Sequence, residues 1–83
     1  EQLKVVFKMA SINFTAGERD YSAAVDPTAK YNIILDYWLM SGNWEDVVSV
    51  KAVGSYDGSG RLHMRINATG AGRFDIYYLA LQP

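Results

Sequence analysis

The stretch Arg-Phe-Asp-Ile-Tyr-Tyr-Leu-Ala-Leu, residues 73–81, predicts a strand that is apolar on both faces. The residues on one face are Phe74, Ile76, Tyr78 and Ala80. Those on the other face are Tyr77, Leu79 and Leu81, beside Asp75. Strands of a small antiparallel sandwich are normally apolar toward the core and polar toward water. The second apolar face therefore predicts a cover from outside the domain core, and the most economical cover is a second copy of the chain.

The composition of the chain leaves association as its main source of additional stability. Its residues 1–83 form one domain, and a domain of this size buries only roughly 60–65% of the surface that its unfolded chain exposes. The lack of cysteine excludes disulfides and thiolate zinc sites, and a single histidine, His63, excludes a histidine-rich metal site. Because the chain begins without methionine and ends just after an apolar strand, we interpret it as the C-terminal head of a longer protein.

Turn-forming segments separate the predicted strands at regular intervals. They lie at residues 15–20, 26–28, 41–43, 57–60 and 69–72 and are rich in Gly, Asp, Asn and Thr. Apolar alternation with a period of two fills the intervals, and no stretch of ten residues adopts the 3.6-residue period of a helix. The pattern predicts an all-β fold, a small antiparallel β-sandwich or jelly roll of about six strands.

The alternation also predicts which residues of the first and third strands share a face. In the first strand the expected apolar face comprises Leu3, Val5, Phe7 and Met9. Ile12 and Phe14 follow in the opposite phase, so we expect either a bulge near residues 10–11 or a change of sheet there. In the third strand one face is expected to carry Tyr31, Ile33, Leu35, Tyr37 and Leu39, and the other Asn32, Ile34, Asp36, Trp38 and Met40.

The segment 41–46, Ser-Gly-Asn-Trp-Glu-Asp, is the best candidate for a ligand-binding loop. An indole that stacks on the apolar face of a sugar ring, next to groups that bond to hydroxyls, makes a glycan site. We expect Trp44, Asn43 and Asp46 to contact a sugar, together with Tyr56 of the following strand. The alternative is that Trp44 folds back onto its own domain.

A polar row is predicted on the strand at residues 61–68, where Arg61, His63, Arg65 and Asn67 share one face. The row either faces a ligand or lines a channel on a symmetry axis, or it is the solvated face of an edge strand. If the chain assembles, we expect Arg61, His63 and Arg65 to lie in or near the contact. Tyr77, Leu79 and Trp38 are the apolar candidates for the interface between subunits.

Several functional classes receive no support from the sequence. A net charge of −1 gives no basic surface for nucleic acid, and no apolar run reaches the ~20 residues that span a bilayer. No cysteine is present, and the single histidine lies between two arginines without a carboxylate near it in sequence, so no catalytic triad is expected. We expect a protein that is not an enzyme and that uses neither a metal nor another cofactor.

The closing segment resembles that of bacteriophage tail-fibre and receptor-binding tips. Residues 67–83, Asn-Ala-Thr-Gly-Ala-Gly-Arg-Phe-Asp-Ile-Tyr-Tyr-Leu-Ala-Leu-Gln-Pro, join a glycine-rich turn to an aromatic strand with a Tyr-x-Ala-hydrophobic ending. The wider layout is similar to the H-type lectin sandwich, with a Val-rich central strand at residues 47–50 and a last strand opened by Gly72-Arg73-Phe74.

The resemblance implies a homotrimer that binds a cell-surface polysaccharide or other glycan. The protein is then expected in the virion, at the tip of a tail fibre that attaches to the host, or otherwise outside the cell. Two alternatives stay open. One is a trimerisation or capping module without a ligand, and the other is a monomeric carbohydrate-binding accessory domain of an enzyme.

Overall fold

A computed structural model describes residues 2–53 and 61–83, which form two three-stranded antiparallel sheets. The strands are β1 (Lys4–Phe14), β2 (Gly17–Ala24), β3 (Tyr31–Ser41), β4 (Val47–Val53), β5 (Arg61–Ala68) and β6 (Gly72–Gln82). A 3-10 helix, Trp44–Asp46, precedes β4. Sheet I has the order β1-β6-β3 and sheet II the order β2-β5-β4. The predicted all-β antiparallel sandwich of six strands is confirmed.

The core lies between the two central strands, β6 of sheet I and β5 of sheet II. The inward residues of β6 are buried, namely Phe74, Ile76, Tyr78 and Ala80. The inward residues of β5 are buried as well, namely Leu62, Met64, Ile66 and Ala68. Burial of each large apolar side chain contributes roughly 1.5–3 kcal/mol, so this double row is the main source of stability. These four residues of β6 are the ones that the sequence predicted to share one face.

Strand β1 differs from its predicted face assignment. Its register with β6 runs without interruption from Lys4 opposite Gln82 to Phe14 opposite Gly72, so both the bulge and the change of sheet predicted near residues 10–11 are wrong. Ile12 and Phe14 point inward, and the alternation of the strand places Val6 and Ala10 on that same side. The outward side chains are Val5, Phe7 and Met9, which are exposed by 61%, 63% and 53%.

The register irregularities of sheet I lie in β3 instead, one between Ile34 and Asp36 and one between Leu39 and Ser41. The register with β6 shifts between Ile34 and Asp36, which makes Leu35 the extra residue of a bulge. Before the bulge Tyr31 and Ile33 point outward, and after it Tyr37 packs against the core and Leu39 is buried. The single face predicted for the odd-numbered residues of β3 is therefore wrong, because the bulge moves the second half of the strand to the other phase.

Buried carboxylate Asp26 fixes the connection between β2 and β3 to sheet I. Its Oδ1 accepts the hydroxyl of Thr28 at 2.6 Å, and its Oδ2 accepts the amide of Gln82 at 2.6 Å and lies 3.1 Å from Nζ of Lys8. Asn32 donates to the carbonyl of Asp26 at 3.0 Å. The hydrogen bond from the Thr28 side chain, followed by that from Gln82, holds the pKa of Asp26 well below its usual range.

The close packing around the first residue of β6 requires glycine at position 72. A Cβ added to Gly72 would lie 2.5 Å from the carbonyl oxygen of Ser41 and 2.6 Å from the ring of Phe14. One of these neighbours is backbone and the other is a buried ring, so neither can move without disturbing the sandwich.

We expect Gly72→Ala to lower the free energy of unfolding by about 2 kcal/mol or more, because the added methyl overpacks this contact. Urea denaturation measures the loss. Gly70→Ala is the matched control, because the atoms nearest to its added Cβ belong to the side chain of Asp46 and not to backbone or to a buried ring. Equal losses for the two variants would contradict the packing at Gly72.

We expect Asp26→Asn to lower the denaturation midpoint at pH 7 and to flatten its dependence on pH. A carboxyl whose pKa is lowered on folding contributes stability above its unfolded pKa of about 4, and this contribution is lost as the pH falls below that value toward the lowered one. Urea midpoints of the two proteins at pH 7 and pH 3 measure this. A difference between them that is the same at both pH values would contradict the ionised state of Asp26.

Candidate functional site

The outer face of sheet I divides into two halves with different chemistry. One half, here the apolar half, comprises Val5, Phe7, Met9, Tyr31, Ile33, Tyr77, Leu79 and Leu81, together with the exposed bulge residue Leu35, and the carboxylate of Asp36 lies at its edge beside Tyr77. The other, here the polar half, comprises Ser11, Asn13, Trp38, Ser41, Arg73 and Asp75. The division follows the register, because each residue of β6 has one neighbour on β1 and one on β3.

In the apolar half, side chains of the edge strands flank those of the central strand. Leu79 lies between Phe7 and Ile33, and Leu81 lies between Val5 and Tyr31. The rings of Phe7 and Tyr77 are stacked with centroids 6.0 Å apart. Tyr77 and Leu79 are half-buried by these neighbours, whereas the side chains on the two edge strands are exposed. The second apolar face that the sequence predicted for β6 is present in the fold.

In the polar half, a buried carboxylate lies beside an exposed indole. Asp75 is only 4% exposed although it lies on the outer face. Its Oδ1 accepts the hydroxyl of Ser11 at 2.7 Å and lies 3.3 Å from Nε of Arg73. Trp38 is the neighbour of Asp75 on β3. The carboxylate of Asp75 and the guanidinium that pairs with it therefore lie next to the indole of Trp38.

Trp38 and Trp44 lie next to each other, which the sequence did not predict. Their ring centroids are 6.5 Å apart and the ring planes are nearly perpendicular, at 85°. The ring of Trp44 also contacts buried Phe74 at 5.8 Å. Nevertheless Trp38 is 57% and Trp44 52% exposed. A residue predicted for a subunit interface and one predicted for a ligand site thus form one aromatic corner.

The surroundings of Asn43 and Asp46, two other predicted ligand contacts, differ from those of Trp44. Asn43 is exposed and directly precedes the 3-10 helix. Asp46 is half-buried, and its carbonyl accepts the backbone N–H of Thr69 at 2.7 Å, while its carboxylate lies 3.3 Å from the Thr69 hydroxyl. Asp46 therefore connects the start of β4 to the turn before β6. Tyr56 lies outside the described residues.

The predicted polar row is on the outer face of sheet II. Arg61, His63 and Arg65 are exposed, but β5 is the central strand of its sheet, so the alternative of an edge strand is wrong. Arg65 donates through Nη1 to Asp20 at 2.8 Å and through Nε to Glu18 at 2.9 Å. The hydrogen bonds to these carboxylates, first that to Asp20, raise the pKa of Arg65 above its usual range.

The chain itself thus provides partners for much of this row. Arg61 donates to the hydroxyl of Ser22 at 3.0 Å, across the same pair of strands. An open depression of about 290 Å³ lies beside the row and is lined by Asp20, Lys51, His63, Met64 and Arg65. Charges of both signs surround it, which gives no preference for an anion or a cation. Sheet II therefore offers a solvated charged face and a weaker ligand site than the aromatic corner.

Comparison with protein-family models, with curated proteins and with solved structures gave no match. The resemblance of the closing segment to phage tips and of the layout to H-type lectins therefore stays a prediction. In the described part of the chain no helix has the length and apolar character to cross a membrane. The outer face of sheet I, with the aromatic corner at its edge, is the surface whose chemistry points to a function.

Proposed function

We propose that this chain is a carbohydrate-binding module that recognises a cell-surface glycan at the corner formed by Trp38 and Trp44. The observation that carries the proposal is the position of two tryptophans, each more than half exposed, in contact with each other. Large aromatic side chains are normally buried where the core has room for them, and adjacent exposed ones indicate a binding surface.

The geometry of the corner suits a sugar ring. A pyranose presents C–H groups on a flat face and hydroxyls around its edge, so it needs an aromatic surface and polar neighbours. With the two indole planes nearly perpendicular, a sugar stacked on one ring meets the edge of the other. The contact of Trp44 with Phe74 anchors that side of the corner to the core. The indoles are therefore positioned before a ligand arrives, which lowers the entropic cost of binding.

Polar groups suitable for hydroxyls lie on both sides of the corner. The amide of Asn43 and the carboxylate of Glu45 are exposed next to Trp44 in sequence. On the side of Trp38, the side chain of Arg73 is 42% exposed, and its Nε lies 3.3 Å from Oδ1 of Asp75. We keep Trp44 and Asn43 as proposed contacts and add Trp38 and Arg73. Asp46 is not among them, because its carboxylate is directed toward Thr69.

A single shallow site of this kind binds weakly, and repeated copies raise its avidity. The setting that the sequence suggested, the head of a phage tail fibre or a similar extracellular adhesin, provides such copies. The accessory domain of an enzyme would use the same corner as a monomer. Oligomeric state distinguishes these two settings without changing the proposed site.

A second candidate function is that of a structural module that assembles or caps a fibre and binds no glycan. The apolar half favours this candidate, since its side chains on the two edge strands are exposed. In that case Trp38 and Trp44 belong to a protein contact.

We expect Trp44→Ala and Trp38→Ala each to weaken glycan binding about tenfold, the loss of one aromatic contact. The probe is the best-bound oligosaccharide from an array of bacterial surface glycans, titrated in its soluble monovalent form so that avidity does not contribute. Calorimetry measures the single-site affinity of each variant.

Tyr31→Ala is the matched control, because Tyr31 is an equally exposed aromatic residue of the same sheet face but lies in the apolar half. We expect its affinity to equal that of the unchanged protein. Unchanged affinity in both tryptophan variants would remove the corner from the site, and an array without hits for folded protein would favour the structural module.

A further inference from the structure

We infer that a second copy of this chain covers the apolar half, so that two sandwiches pair face to face through sheet I. The pairing goes beyond the proposed glycan site and does not depend on it. It assigns a partner to a surface of nine uncharged side chains, with Asp36 at its edge, that the fold leaves at its outside. Three properties of the surface support it: the area that it presents, its ability to pair with itself, and the charges at its margin.

The area of the apolar half is sufficient for a modest interface. The six side chains that it draws from the edge strands are between 44% and 63% exposed. At on the order of 100 Å² for each half-exposed large side chain, they present about 500–600 Å². Two such faces bury about 1,000–1,200 Å² in total, which is at the lower bound of specific protein interfaces.

The rows of the apolar half permit a twofold arrangement. Its central row is Phe7–Leu79–Ile33, with Val5–Leu81–Tyr31 on one side and the row that contains Met9 and Tyr77 on the other. We place the twofold axis in the plane of contact between the two sheets. It runs along the central row and is therefore perpendicular to the strands. Each outer row then faces the opposite outer row of the second copy, at the ~10 Å spacing of packed sheets.

Charges at the margin agree with this arrangement. Lys30 lies at the start of β3, with Nζ 5.9 Å from the ring centroid of Tyr31. Asp36 lies in the row of Met9 and Tyr77, and it is exposed. The twofold axis across the strands brings Lys30 of one copy toward Asp36 of the other, twice in each pair. An axis along the strands would not bring these two charges together.

A self-complementary pair fits the surface better than a ring of three. A ring is built from two different patches that match each other, whereas a twofold contact uses one patch twice. The broad outer face of sheet II carries charged side chains, among them Glu18, Asp20, Arg61 and Arg65, and offers no match for an apolar patch. The proposed contact therefore differs from the homotrimer that the resemblance implied.

The test is the mass of the protein in solution, measured by sedimentation equilibrium from about 1 µM to about 500 µM, since interfaces of this size are often transient. We expect the unchanged chain to approach twice its mass of 9.3 kDa. The variant Phe7→Lys with Ile33→Lys buries four lysines in the contact and is expected to stay a monomer. Ala24→Lys with Ser49→Lys, on the exposed outer face of sheet II, is the control and is expected to pair normally.

A charge exchange tests the proposed axis. We expect Lys30→Glu and Asp36→Lys, each alone, to raise the dissociation constant of the pair about fivefold. The double variant is expected to restore the original value. Circular dichroism verifies that every variant is folded.

Three results would overturn the inference. The first is a monomer over the whole concentration range, which leaves the apolar half to a different partner. The second is pairing that persists in the Phe7→Lys, Ile33→Lys variant. The third is a trimer or an open-ended aggregate, which a twofold contact does not produce.

Discussion

The position of β6 between β1 and β3 is the constraint on which the rest of the structure depends. Phe74 and Ile76 on its inner face are fully buried against β5 and form the centre of the core. Its outer face is also apolar where Tyr77 and Leu79 lie, and side chains of the two edge strands flank these residues without covering them completely. Sheet I is three strands wide. Its inner side is completely covered by the core, whereas the apolar side chains on its outer side are only partly covered.

The outer face of sheet I changes from apolar to polar along its length, and this change separates the surface proposed for assembly from the site proposed for glycan binding. Beyond Tyr77 the outward residue of β6 is Asp75, which Ser11 and Arg73 contact, and the neighbouring aromatic residue is Trp38. A partner that covers only the apolar half leaves this end free. The two proposed glycan sites of a face-to-face pair then lie at opposite ends of the assembly.

The sequence predicted the sandwich because alternation and turn residues mark the strands directly. It did not predict the position of the bulge, since Leu35 continues the apolar alternation and nothing local shows that the register with β6 shifts there. It likewise did not bring Trp38 and Trp44 together, because that contact depends on how the segment after β3 folds back against Phe74. Faces follow from register, and register is a property of strand pairs rather than of one strand.

The central claim is that the apolar half, and no other described surface, meets a second copy. Chemical shifts of the side chains in a ¹³C-resolved dilution series test this most directly, because they report on each face separately. If a second copy covers the apolar half, signals of Leu79 and Ile33 move on dilution, while those of Arg65 on sheet II stay constant. Constant shifts at Leu79 and Ile33, or movement confined to sheet II, would contradict it.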